Sequence, residues 1–500
     1  MVMAVMKNGK EDTVMKKKNL IQIAAALLMG VASFSACEST LTVPEEETNP
    51  CVLTVEAIKG EDEITKALAD AGTTITATWE VNDEVQVYNS SDVKLGTIRA
   101  TTAGASTTLS GTLDSTPILG DALTLKFKSP SYADQEGTLD YIASNCDYAT
   151  ATVTVVAADD VYGTAVTTKA SFVNQQAIVK FTLKNKSGSA NLPVTSLTIN
   201  DGTNSYTVTP ASATNVLYVA LPGFSDKTMT LTADTEKYGL VRSGVTFDNG
   251  NYYTRTVKML PYFSVSASKK VLFSPGNLQA TYDGSSWNWH FAANQWDYIG
   301  AAAGNTSIDG NGTVSSSNVT VDLFGWVGAS STWTGAAQYG ISNSTTTGST
   351  DTYGNVDGEA LKSDWGNTIS DGYLWRTLTH DEWRYVFLTR TMDNIERKST
   401  LGQQVNSTYG IVLYPDNYAG ELYAGSDWST FEAAGCVFLP AAGRRYGASV
   451  AKVNEEGYYW VSTPHTDNTV HYEYFTRTGS FFTYTGSRCW GYSVRLVQEL

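Results

Sequence analysis

The chain has 500 residues, of which 42% are hydrophobic and 17% charged; this is length for two to four domains of roughly 100–200 residues each, with less charge than the ~25% usual in soluble domains. Its 34 basic and 50 acidic residues give −16, which excludes nucleic acid as a partner, because phosphate recognition needs a basic face, and excludes a basic patch as the means of membrane attachment. Of the 12 tryptophans, Trp79 stands alone and the rest lie at or beyond Trp287, so at least two differently built regions share the chain.

Met15, followed by Lys16, Lys17 and Lys18, opens a positively charged segment, and Leu20 to Ala32 is an apolar run broken only by Gln22. That run has signal-peptide length and is short for a bilayer span. Residues 1–14 read as an overlong start ahead of Met15. Phe34-Ser35-Ala36-Cys37 resembles a bacterial lipobox. The resemblance implies removal of residues 1–36, acylation of Cys37 and a surface-exposed lipoprotein of the outer membrane. The alternative is an ordinary cleavable signal with an incidental cysteine. Removing residues 1–36 takes away five lysines and two acidic residues, leaving 29 basic against 48 acidic, net −19. Residues 37–51 form a polar tether with Glu45, Glu46 and Glu47 in a row. No further run approaches the ~18 apolar residues of a membrane helix.

Four cysteines remain: Cys51, Cys146, Cys436 and Cys489. An exported compartment permits disulfides, but four cysteines are no disulfide framework. Cys436 and Cys489 are the only pair inside one expected domain.

From residue 52 to 262 the dominant signal is period two, the mark of strands with one buried face. Ala177, Val179, Phe181 and Leu183 alternate with Lys180, Thr182 and Lys184; Leu123, Leu125 and Phe127 alternate with Thr124, Lys126 and Lys128. Val85 and Val87 continue the series, as do Val216, Tyr218 and Ala220, and then Tyr253 to Met259. Turns are expected at Gly111, Gly120-Asp121, Gly137, Asp201-Gly202, Pro222-Gly223 and Asn249-Gly250. Short strands at regular spacing predict β-sandwiches, one over 52–168 and a second over 169–262, with no useful amphipathic helix.

Trp79-Glu80-Val81-Asn82-Asp83-Glu84-Val85-Gln86-Val87-Tyr88 resembles the tryptophan, Gly-Asp and strand segment of fimbrillin-like proteins, with Asn82 in place of the usual Gly. Tyr141-Ile142-Ala143, Cys146-Asp147-Tyr148, Phe172 to Leu183 and Asn251 to Thr256 match later segments of the same family. The resemblance covers about residues 52–262 and implies two transthyretin-like β-sandwiches. In polymerising members a protease cuts after a basic residue in an early loop, the first strand is lost, and a strand of the next subunit fills the groove. That is β-augmentation, in which an unpaired sheet edge supplies main-chain hydrogen bonds. Lys66-Ala67 is the first candidate for such a cut and Lys59-Gly60 the second. The alternative is that both lysines are simply solvated.

Residues 263–500 form a different module, rich in Gly and aromatics. Thr379-His380-Asp381-Glu382 is a capping box ahead of Trp383, Val386 and Phe387, and Ser429-Thr430-Phe431-Glu432 is read as another. Phe273 to Leu278, Asn294 to Asp297, Asp322 to Trp326, Asp364-Trp365-Gly366, Trp375 to Thr379, Leu439 to Gly443, Gly457 to Trp460 and Ser493 to Val497 together resemble FISUMP-type domains of the C-type-lectin and formylglycine-generating-enzyme fold. The resemblance implies an α+β head in which Trp365, Trp375, Trp383, Trp460, Arg376 and Arg495 are architecture. Trp287, Trp289, Trp333 and Trp428 are then expected to be more exposed, as platforms for a sugar or a protein partner.

Enzyme motifs are missing: no HExxH, phosphate loop, GxGxxG after a strand or GxSxG elbow occurs. The enzyme branch of the head's fold uses a close cysteine pair, whereas Cys436 and Cys489 lie far apart in sequence. The sugar-binding signatures of C-type lectins are also missing. His465 and His471 flank a five-residue loop, a spacing without a standard metal geometry. Asp351, Asp357 and Glu359 lie in an oxygen-rich loop that is a weak calcium candidate, and Asp467 and Asn468 are candidate ligand contacts. No cofactor is expected.

The combined reading is a mainly β, lipid-anchored, non-enzymatic surface protein. It acts as an adhesin or as a tip or accessory subunit of a fimbrium, its head binding a glycan or a protein and its sandwiches able to exchange strands with other fimbrial subunits. The alternative is a non-polymerising, glycan-binding outer-membrane lipoprotein of a polysaccharide-uptake system.

Overall fold

Alternating side chains build the first layer as expected. The computed structural model describes residues 50–59, 69–70, 72, 75–76, 78–234, 237–308, 318–345, 359–390, 399–465, 469–478 and 481–500. Its first body is made of β1 (Cys51–Lys59), β2 (Glu84–Tyr88), β3 (Lys94–Ala100), β4 (Ser106–Leu113), β5 (Ala122–Phe127), β6 (Ala149–Asp159), β7 (Thr164–Thr167) and β8 (Ala170–Asn174). The hydrogen-bonded order is β7-β1-β8-β6-β5-β2-β3-β4, and β1 also pairs with β4. The sheet therefore closes on itself as a flattened barrel, which leaves no free edge. Trp79 is wholly buried at the centre, with Phe127 and Phe172 edge-on at 5.5 and 5.3 Å. Asn82, where the family resemblance has glycine, adopts φ 72°, a left-handed conformation that Asn tolerates.

Gly111 is a correction. It lies inside β4, opposite Leu53 of β1, and not in a turn. A Cβ there would collide with the backbone of Thr97 and Ile98, so glycine permits the close crossing of β3 and β4.

The second body is a two-sheet sandwich. One sheet is ordered β12 (Val216–Pro222), β9 (Gln176–Lys184), β15 (Tyr252–Lys258). The other contains β14 (Tyr238–Phe247), β13 (Phe224–Ala233), β10 (Leu197–Asn200) and β11 (Ser205–Val208), and ends on the short strand Asp134–Gln135. Ala177, Val179, Phe181 and Leu183 all face its core. In β12 the predicted face is reversed: Leu217, Val219 and Leu221 enter the core. Ala220 points the other way, into a small cluster with Ile142 and Cys146 around helix α1 (Leu139–Asn145).

The tryptophan-rich region folds as several small sheets and short helices around two main clusters. Its strand Lys270–Phe273 pairs antiparallel with Leu496–Glu499, which also pairs with Arg376–Thr377. Helix α2 (His380–Arg384) begins with the expected Thr379–Glu382 capping box. Helix α3 (Trp428–Ala433) differs from expectation: its N-cap is Asp427, whose carboxylate accepts from the Ser429 amide at 3.1 Å. A carboxylate at the cap also suits the positive end of the helix dipole, which explains its precedence over Ser429. Among the described residues no helix is long and apolar enough to cross a membrane.

Candidate functional site

The N-terminal strand β1 is the element on which the strand-exchange expectation turns. It runs antiparallel to β4 from Cys51↔Leu113 to Ile58↔Ser106. On its other side it is parallel first to β7, at Val52↔Thr164 to Thr54↔Val166, and then to β8, at Ala57↔Ala170 to Lys59↔Phe172. Cys51, Leu53, Val55 and Ala57 point inward and are at most 1% exposed. Both edges of β1 are thus satisfied by main chain and its inner face by the core. Without β1, β4 and the β7/β8 edge would each present unpaired N–H and C=O groups over an apolar floor, where fully burying one Val or Leu side chain is favourable by roughly 1.5–3 kcal/mol. Cys37, Lys66 and Ala67 lie outside the described residues; Lys59 is the last residue of β1.

Of the four tryptophans read as architecture, three are core and Trp375 is not. Trp365, Trp383 and Trp460 are buried, and Trp375 is half-buried. Arg376 makes a two-pronged ion pair with Glu382, both contacts at 2.7 Å. Arg495 is buried and donates to Gln295 Oε1 at 2.9 Å, and burial pulls its pKa down to about 10.

The four expected aromatic platforms divide. Trp287 and Trp289 are half-buried; Trp289 stacks on Phe324 at 5.5 Å, and Trp287 leans on Tyr282 at 5.4 Å. Trp333 and Trp428 are core residues, 5% and 7% exposed. Trp333 packs with Val327, Ala337 and Cys489, and Trp428 packs with Tyr423, Phe431 and Phe438. Neither offers a face to a ligand. Their loop-like sequence surroundings carry no period, so burial comes from tertiary packing that local pattern does not encode.

Asp351, Asp357, Asp467 and Asn468 lie outside the described residues. Glu359 is half-buried, and its charge favours that of buried Arg488. Among the described residues no group of three or more His, Cys, Asp or Glu side chains is arranged to hold a metal ion. Cys436 and Cys489 form no disulfide and sit in separate clusters, around Trp428 and Trp333 respectively. Burial pushes the Cys436 thiol up to about 12.

Two groupings escaped sequence reasoning. His380 stacks on His471 with ring centres 4.2 Å apart, and His465 meets His471 edge-on at 4.8 Å. Buried Glu473 lies beside them, its Oε1 3.7 Å from His380 Nδ1, beyond hydrogen-bond reach. The second grouping lies where the sandwich meets the head. Lys186, Arg242, Arg255 and Lys258 line one cavity of about 880 Å³ with Phe291, Asp371 and Trp375. The residues come from sequence positions as far apart as 186 and 375, so no local motif announces them.

No family model and no curated protein matches the chain. Among solved structures, it is similar to a fimbrial assembly protein from Parabacteroides distasonis, at 10% identity over 44% of this chain and 94% of that one, with a TM-score of 0.23. It is also similar to a protein described as a cell adhesion protein from Bacteroides ovatus, at 13% identity over 41% and 93%, with a TM-score of 0.27. A third is the shaft pilin SpaA from Lactobacillus rhamnosus GG, at 13% identity over 43% and 98%, with a TM-score of 0.20.

Proposed function

We propose that this is a non-enzymatic adhesion protein of the cell surface, anchored to the outer membrane by lipid on Cys37 and acting as a tip or accessory subunit of a fimbrium. The N-terminal body supplies the assembly groove, and residues 263–500, with a C-type-lectin-like design, form the binding head. The observation that carries this reading is the double pairing of β1. An N-terminal strand seated between two partner edges, with Lys66-Ala67 in the segment that follows, is built so that one cut frees it. Loss of the strand then opens a groove that another subunit's strand can fill.

The alternative is a non-polymerising, glycan-binding lipoprotein of a polysaccharide-uptake system. It is favoured by the strand Leu496–Glu499, which is paired on both sides and so is not itself an open strand to donate. A tip position is compatible with the same feature, because a tip subunit need only accept a strand.

Mass spectrometry of the mature N-terminus on intact cells separates these readings. A chain beginning at Ala67 within heat-resistant ladders supports assembly by strand exchange. Acylated Cys37 on a monomer supports the non-polymerising alternative. A chain retaining Met15 in the cytoplasm would remove both.

A further inference from the structure

The protein is strongly acidic, yet four cations converge on one cavity at the seam between the second sandwich and the head. Arg242, Arg255 and Lys258 are exposed side chains of β14 and β15, and Lys186 follows β9. Among the described residues none of the four is ion-paired with a carboxylate. Arg242 donates to the Asp371 backbone carbonyl at 2.6 Å and lies 4.6 Å above the Tyr373 ring. Arg255 donates to the Thr254 carbonyl at 3.0 Å and packs on Tyr253. Asp371, the cavity's one acidic residue, has its carboxylate held by the Trp375 indole at 3.1 Å and by the Tyr373 amide at 3.0 Å.

Lys186 adds to the convergence of the four cations. The residue is half-buried, and protein atoms crowd its ammonium. Burial lowers its pKa to about 8, against the attraction of Glu432 on α3; Arg495 adds to the fall, and the Cys436 thiol opposes it. An ammonium that loses part of its hydration to burial is stabilised by a ligand that supplies negative charge. Across the cavity, the head contributes half-buried Trp375 and Phe291, edge-to-face at 4.9 Å. A volume of about 880 Å³ falls in the range that takes small organic ligands.

We infer that this seam is a binding site for a short acidic oligosaccharide, its carboxylate or sulfate groups meeting Lys186, Lys258 and the two arginines and its sugar rings lying against Trp375 and Phe291. The inference rests on the reading of the protein as a surface receptor and adds the place and the ligand class. The site joins two bodies, so occupancy would also stiffen the seam. Its other direct ties include Ser243, which donates to the Gly372 carbonyl through both its amide and its hydroxyl at 2.9 and 2.7 Å.

The test is titration calorimetry on the full chain with oligogalacturonate, a heparin-derived disaccharide, neutral maltotetraose and a short polyglutamate peptide. The acidic saccharides are expected to bind and maltotetraose is not, with affinity falling as salt rises. Lys186→Met and Lys258→Met should each weaken acidic-saccharide binding by about tenfold or more, the scale of one charged hydrogen bond. Wild-type affinity should fall as pH rises through 8, and Lys186→Met should lack that fall. Exchanging this half-buried ammonium for an apolar side chain of similar length should not lower Tm; if Lys186→Met fails to fold, Lys258→Met on the surface decides. Equal binding by wild type and both variants would overturn the site, as would no binding of any acidic saccharide. Polyglutamate binding as tight as the saccharides would overturn the ligand class. Binding of maltotetraose alone would remove this site while leaving the receptor reading intact.

Discussion

Gln135 satisfies both backbone groups of Ala220: its Nε2 donates to the Ala220 carbonyl at 2.8 Å, and its Oε1 accepts from the Ala220 amide at 2.9 Å. Gln135 belongs to the segment between β5 and β6, whereas Ala220 is in β12 of the second sandwich. The short strand Asp134–Gln135 also pairs with β11, so a segment from the first body completes the second. Gln135→Ala leaves two buried backbone groups without this partner, each costing roughly 1–3 kcal/mol if water cannot replace it. Urea unfolding should show a loss of about 3 kcal/mol. A loss below about 0.5 kcal/mol, the scale of ordinary surface changes, would mean that the clamp does not couple the bodies.

The cysteines give a second prediction. Cys51, Cys146, Cys436 and Cys489 are all buried thiols outside any disulfide. Burial raises Cys146 to about 11 and Cys436 to about 12, and thiolate is the reactive form. A thiol reagent at pH 8 should find all four silent in the native protein and all four reactive in guanidinium. A disulfide between Cys436 and Cys489 would instead leave two thiols unreactive until reduction.

What the sequence made legible follows from how local each feature is. Ala177 to Leu183 displays its buried face because one side meets the core and the other is polar. Val216 to Ala220 misleads because both faces of β12 are covered, one by the sandwich core and one by α1, so alternation no longer marks which side is inside. The Thr379–Glu382 box spans one helical turn and is readable, whereas Asp427 prevails over Ser429 through a difference of cap chemistry two residues apart. Trp333, Trp428, the histidine group and the cationic seam are assembled from distant positions. Only tertiary structure could reveal them.

The Arg376–Glu382 pair should report acid stability. Burial of Glu382 pushes its carboxyl up, but the Arg376 guanidinium and the Thr379 amide, which donates at 2.9 Å, prevail and hold it below the ordinary carboxylate range. The folded state therefore holds this proton less tightly than the unfolded state. The resulting stabilisation is present above about pH 4.5, the ordinary value, and is lost as pH falls through the lower folded value. Glu382→Gln removes the charge and is expected to cost about 2–3 kcal/mol at pH 7, toward the lower end for breaking a buried pair because Arg376 retains Glu499. Denaturant midpoints at pH 7 and pH 3 should converge for the two proteins. An equal gap at both pH values would assign the cost to packing instead of charge.

His471 predicts a separate acid response at higher pH. Burial lowers its pKa from 6.5 to about 4, and the neighbouring His380 and His465 rings reinforce the shift; Asp381 opposes it. Glu473 and Arg384 also face the group, Glu473 through its 3.7 Å approach to His380 and Arg384 from α2. Between pH 6.5 and 4 the unfolded chain binds a proton at this position that the folded chain resists, so stability must fall as pH falls through that window. His471→Gln cannot take up that proton. Relative to wild type, its Tm should therefore be lowest at pH 8 and should rise steadily toward pH 4. Asp322 has the opposite sign: burial raises its carboxyl to about 6, so acid favours its folded form in both proteins and cancels in the difference. A wild-type-minus-variant Tm that stays flat from pH 8 to 4 would show that His471 titrates as it does in the unfolded chain.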